Sequence, residues 1–122
     1  MIGEEVLPAH RTTPESYELQ ELLRAMADAG CTHVVMEASS IALVLHRTGG
    51  IRFAAGIFTN LTPDHLDFHG TMEAYRAAKG LLFDQTDLAV VNLDDDAGRY
   101  YAESAPCPVS YTHLTLPTIL LV

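Results

Sequence analysis

Apolar and polar positions change period several times along the chain, and each change marks an element. After Thr13-Pro14, the residues Tyr17, Leu19, Leu22, Leu23 and Met26 form an amphipathic helical stripe. The threonine suits an N-cap, the proline the first helical position and Gly30 the stop. A β-branched run over 33–36 predicts a short strand ending at Glu37. A second predicted helix covers 40–46, with Gly49-Gly50 beyond it. The uninterrupted apolar run 53–59 predicts a strand buried on both faces. A polar loop spans 60–70, and Thr71 caps a third predicted helix reaching about Phe83. Residues 88–92 predict another buried strand. Asp94-Asp95-Asp96 predicts a turn into a short last helix.

Alternating strands and helices point to the α/β class, with a mostly parallel sheet flanked by helices. Ligands in such sheets gather at the carboxyl ends of strands. That rule singles out Glu37, Thr59-Asn60 and the stretch from Asn92 to Asp95. The first strand and phosphate loop that usually open such a sheet are not found, and no GxxGK[ST] stretch occurs. Residues 1–109 are therefore expected to be part of an α/β domain. Residues 110–122, SYTHLTLPTILLV, break the composition: they carry no charge. This tail resembles the translated sequencing adaptor found at the ends of metagenomic reading frames; the alternative is a genuine last strand.

Composition narrows the partners. The 122 residues have room for one domain, and 48% hydrophobic residues allow a core. Sixteen acidic against seven basic residues give a formal net charge of −9, which argues against a nucleic-acid partner. Cys31 and Cys107 have no zinc-like spacing, and Cys31, beside an apolar run, is expected in a core. No signal peptide is visible, and no window reaches the roughly 18 apolar residues that span a bilayer. A soluble, cytoplasmic protein without a membrane partner is the expectation.

Lys79 is the oddest residue. At about 100° per residue it falls within the stripe of Met72, Tyr75, Leu82 and Phe83. Burying an ammonium is costly unless it is paired, so either its stem packs while its head reaches water, or the amine is desolvated or modified. Nearby, Asp64, His65, Asp67 and His69 crowd a loop that is able to bind a cation or serve as a polar turn. Glu37 is placed for a metal beside phosphate, and Ser39-Ser40 to cap a helix or meet a substrate. Arg47 suits a helix end. Asn92 ends a strand, where ligand contact is conceivable.

Taken together, these pieces resemble the central, ATP-binding domain of the Mur ligases. FTNLTPDHLDFHGTMEAYRAAKGLLF, over 58–83, is very similar to that family's stretch after the phosphate loop. RTTPES from Arg11 and MEASSIALVLHR from Met36 resemble the members that extend the UDP-N-acetylmuramoyl dipeptide. The resemblance covers about 4–109. It implies that Thr12, Thr13, Ser39 and Arg47 contact the UDP-muramoyl-peptide, and that Glu37 and His65 bind magnesium. Lys79 would carry a carbamate and act as a further metal ligand, and Asn92 would face ATP. The implied reaction adds a third amino acid, meso-diaminopimelate or L-lysine, to UDP-MurNAc-L-Ala-D-Glu through an acyl phosphate. The implied parent is monomeric, and this piece alone is expected to be inactive. Departures occur at Arg11, Ile41, Leu45 and Pro63, where asparagine, histidine, glutamine and arginine are common.

Three alternatives stand beside this. Another Mur or folylpolyglutamate-type ligase shares the chemistry but should lack the two shorter motifs together. A metal-dependent hydrolase built on the Asp64 to His69 loop would act without ATP. A remnant binding module would hold the muramoyl peptide without turnover.

Overall fold

In the computed structural model, residues 12–63 and 66–112 are described. The chain divides into two compact units, Met1–Gly50 and Ile51–Val122.

In the first unit, helix α1 spans Ser16–Asp28 and its N-cap is Glu15, not Thr13. The Thr13 hydroxyl is turned instead to a distant segment, donating to Glu37 O at 3.1 Å and accepting from Ser39 N at 3.2 Å. The helix ends as Gly30 requires. That glycine sits at φ +88°, with Gly30 N on Ala27 O and Cys31 N on Met26 O, the paired bonds of a Schellman turn. Only Leu19 of the expected stripe is buried.

The strand expected over 33–36 does not form. A strand exists through its ladder, and no described residue pairs with this segment; Val35 is 97% exposed. Cys31 is likewise exposed rather than in a core, because it lies just past the helix stop. Helix α2 covers Ser40–Val44, capped by the Ser39 hydroxyl, which accepts from Ala42 N at 3.1 Å. It stops short of His46, which adopts the left-handed φ of +56°.

The second unit holds a three-stranded parallel sheet in the order β1-β2-β3: Gly56–Phe58, Ala89–Asn92 and Val109–Thr112. Its register pairs Ile57 with Val90 and Val90 with Ser110. Parallel strands need long crossovers. The first carries α3 (Leu66–His69), α4 (Met72–Gly80) and a 3-10 turn (Leu81–Gln85); the second carries α5 (Asp96–Ser104). Thr71 and Asp95 cap α4 and α5 through Ala74 N and Ala97 N. The predicted strand at 53–59 is thus shorter, and it is buried on one face only. Phe58 faces the core, while Ile57 is 63% exposed because no described element covers its side. Residues 110–112 of the tail complete β3.

The core joins Phe58, Phe83, Ala89, Val91, Ala97 and Tyr101. Tyr101 is its hub, edge-on to Phe58 at 4.9 Å and to Phe83 at 5.2 Å, with its hydroxyl donating to Arg76 O. Helix α5 lies so close on β2 that a Cβ at Gly98 would sit 1.8 Å from Asn92 O. None of the described helices is long and apolar enough to cross a membrane.

Two outcomes follow. An alanine in a helix ordinarily gains about 1 kcal/mol over glycine, but here the clash outweighs it. Gly98→Ala should destabilise the unit by about 2 kcal/mol or more in urea unfolding, and a stabilised variant would show that α5 stands farther from β2. Burial pushes the Tyr101 hydroxyl above its ordinary value of 10.0. The folded state then keeps a proton the unfolded chain releases, so this contribution is full below about pH 10 and is lost above it. Tyr101→Phe should flatten that alkaline loss in melts at increasing pH.

Candidate functional site

The carboxyl edge of the sheet in the second unit is built around 59–61, the residues leaving β1. Three side chains fasten them. Asn92, at the end of β2 and 6% exposed, donates from Nδ2 to Thr59 O at 2.8 Å. Its Oδ1 accepts from Asp94 N at 3.0 Å, shaping the turn. Asp95 divides its carboxylate: Oδ1 caps α5, and Oδ2 accepts from Leu61 N at 3.0 Å. Lys79 reaches Asn60 O with its Nζ at 3.5 Å.

Lys79 is half-buried on α4, as the stripe predicts, with Tyr75 buried one turn before it. Its Nζ lies 5.4 Å from the Tyr75 ring centroid. His69 stacks on the same Tyr75 ring, its plane 7° from it at a centroid distance of 5.1 Å. In the polar loop, Asp67 and His69 fall on α3, a single helical turn closed by Gly70 at φ +83°. Asp64 and His65 lie outside the described residues. Beside the same edge, a cleft of about 280 Å³ is lined by Leu61, Met72, Glu73, Arg76, Asp95 and Asp96, among others.

The first unit gathers a second set. Thr13 is buried and clasps the backbone on both sides of Ala38, through Glu37 O and Ser39 N, while Thr12 beside it is exposed. The Glu37 carboxylate is exposed. Beyond α2, Arg47 is largely covered: its side chain is 13% exposed and pairs with Glu15 at 3.5 Å. Its Nε is buried with no hydrogen-bond partner among the described residues. Thr13, Ser39 and Arg47 are thereby held on one connected framework, which spacing alone did not reveal.

Magnesium favours oxygen donors in an octahedral arrangement. The Glu37 carboxylate fits that preference. An ammonium has no lone pair, so Lys79 fits only as a carbamate, whose oxygens are carboxylate-like. No three His, Cys, Asp or Glu side chains converge among the described residues.

Sequence reading missed two residues that matter here. Asp95 reads as a turn aspartate, and nothing local announces its second bond to Leu61. Glu15 carries no signal at all, since its partner lies 32 positions away.

Comparison with known proteins supplies the relationship. A family model described as the Mur ligase middle domain matches residues 1–115. The UDP-N-acetylmuramoyl-L-alanyl-D-glutamate–2,6-diaminopimelate ligase of Chlorobaculum tepidum is 54% identical over 104 residues, covering 83% of this chain and 20% of the relative. The ligase of the same name from Clostridium perfringens is 56% identical over 97 residues, covering 80% and 20%. That of Geobacillus thermodenitrificans is 46% identical over 117 residues, covering 88% and 24%. The chain thus spans about a fifth of the length of such relatives.

The clasp at Thr13 is testable. Thr13→Val keeps the shape but leaves Glu37 O and Ser39 N without a side-chain partner, a loss worth about 1–3 kcal/mol. The Ser39 amide should exchange with deuterium at least about tenfold faster. An unchanged rate would mean that the clasp does not hold this segment.

Proposed function

The chain belongs to the Mur ligase family, and on that premise we propose that its parent is an ATP-dependent ligase of peptidoglycan precursor synthesis. It would join 2,6-diaminopimelate to UDP-MurNAc-L-Ala-D-Glu. The observation that carries this reading is the identity of half or more of the matched positions to ligases of that name. The same observation favours a ligase over a hydrolase built on the histidine loop.

The reaction has two steps. A carboxylate of the D-glutamate attacks the γ-phosphorus of ATP, and ADP leaves. The amine of the incoming amino acid then attacks the acyl carbon, and phosphate leaves with formation of the amide. The first step brings two anions together, so charge must be screened. Magnesium supplies that screening when bound, and Glu37, His65 and carbamylated Lys79 are the residues proposed to hold it.

This chain's own residues have distinct tasks in the proposal. Arg47 offers a charged fork to an anionic group of the muramoyl peptide. Thr12 presents its exposed hydroxyl to the same substrate, and Thr13 and Ser39, whose hydroxyls are engaged within the unit, are proposed to contact it through the segment they hold. Asn92 has one amide hydrogen committed to Thr59 O, and the other is proposed to meet ATP. The carbamate also accounts for a lysine on the covered stripe of α4, since it turns a costly cation into a metal-bound anion. The parent is proposed to work as a monomer in the cytoplasm.

The test exchanges the matching segment of the Chlorobaculum tepidum ligase for residues 4–109 of this chain. The product should release ADP only when the muramoyl dipeptide and diaminopimelate are both present. Failure to do so would count against the ligase reading. Within that protein, Lys79→Ala and Lys79→Arg should each cost about 100-fold or more in turnover. Arginine keeps the cation but forms no carbamate at neutral pH, so an active Lys79→Arg variant would remove the carbamate from the mechanism.

A further inference from the structure

Arg47 differs from the other arginines that form ion pairs. Its side chain is 13% exposed, whereas those of Arg24, Arg52 and Arg99 are 80%, 60% and 56% exposed. A guanidinium carries five N–H donors in a planar fork. Glu15 meets one terminal nitrogen, Nη2, at 3.5 Å, and Nε stays buried without an acceptor among the described residues. The fork is thus met at Nη2, while Nε is enclosed beside it with its N–H unmatched among the described residues.

Both partners stand on backbone that is fixed independently. Glu15 O accepts from Leu19 N at 2.9 Å, and this residue caps α1 with its backbone and not its side chain. Two positions earlier, Thr13 is clasped to Glu37 and Ser39. On the other side, Arg47 N bonds Ala42 O at 2.9 Å, directly after the left-handed turn at His46. The Glu15 carboxylate is thus not needed to start its helix, yet it is presented to the guanidinium.

We propose that Glu15 is a positioning residue: its carboxylate keeps the Arg47 guanidinium covered and oriented for a carboxylate or phosphate group of an anionic ligand. A covered cation without a counter-charge is strongly unfavourable. Removal of the Glu15 charge would therefore release the long, flexible arginine stem toward water. The anion would then meet a mobile cation in place of a fixed fork. The inference rests on the proposed role of Arg47 toward the muramoyl peptide, and it adds the residue through which that role is set.

The experiment labels the full 122-residue chain with phenylglyoxal, an arginine-selective dicarbonyl, and reads each site by mass spectrometry. Arg47 should react more slowly than the exposed Arg24 of the same unit. Glu15→Gln should raise the Arg47 rate about tenfold and leave Arg24 unchanged, and Glu15→Asp, which keeps the charge, should restore part of the protection. A residue that merely packs predicts the reverse ranking, because glutamine matches glutamate in shape and aspartate does not. An unchanged Arg47 rate in Glu15→Gln overturns the proposal. So does a collapse of Ser39 amide protection in that variant, which would mark Glu15 as a structural prop. UDP-MurNAc-L-Ala-D-Glu added to the unsubstituted chain should slow Arg47 labelling. If it does not while the Glu15 effect persists, the substrate reading of Arg47 fails and the positioning role stands.

Discussion

The second unit depends on how closely α5 lies on β2. At Gly98 the helix comes near enough to the Asn92 carbonyl that no side chain fits between them. That single approach sets three other things. It brings Tyr101 over Phe58 and Phe83, it sends the tyrosine hydroxyl to the middle of α4 at Arg76 O, and it puts Asp95 within reach of Leu61. Core and carboxyl edge are therefore consequences of one contact. A longer side chain at position 98 would disturb the packing and the edge together.

The first unit is organised differently. It has little apolar burial, with Leu19, Ala42 and Leu43 as its buried hydrophobic residues among those described. Its order comes from polar ties. A buried threonine hydroxyl bonds two backbone groups, a serine caps α2, and a carboxylate faces a covered guanidinium. Polar ties are directional, so they fix orientation more sharply than apolar contacts do.

How much of this could be read from sequence depended on range. Signals acting within one turn of chain were legible. Thr71 caps the helix expected of it, the aspartate turn at 94–96 leads into the expected last helix, Gly30 ends α1, and Lys79 sits on the covered side of α4. The parallel sheet was legible from alternation. Where a distant partner decides, the reading failed. Thr13 carries the features of a cap, but a carbonyl 24 positions away claims its hydroxyl. Residues 33–36 have strand-forming side chains but no neighbouring strand to pair with among those described. Ile57 belongs to an apolar run, yet whether its face is covered depends on elements elsewhere. Of the proposed site, the residue types and strand-end positions were visible, while the bonds from Asn92 to Thr59 and from Asp95 to Leu61 were not.

The fastening of 59–61 has an energetic consequence. Fixing a loop residue costs about 1–2 kcal/mol of backbone entropy. Here Asn92, Asp95 and Lys79 hold three successive residues in place. Their disorder is given up when the chain folds and not when a ligand arrives. A ligand meeting this edge would find its contacts already set, so its binding would draw on interaction energy undiminished by ordering the loop.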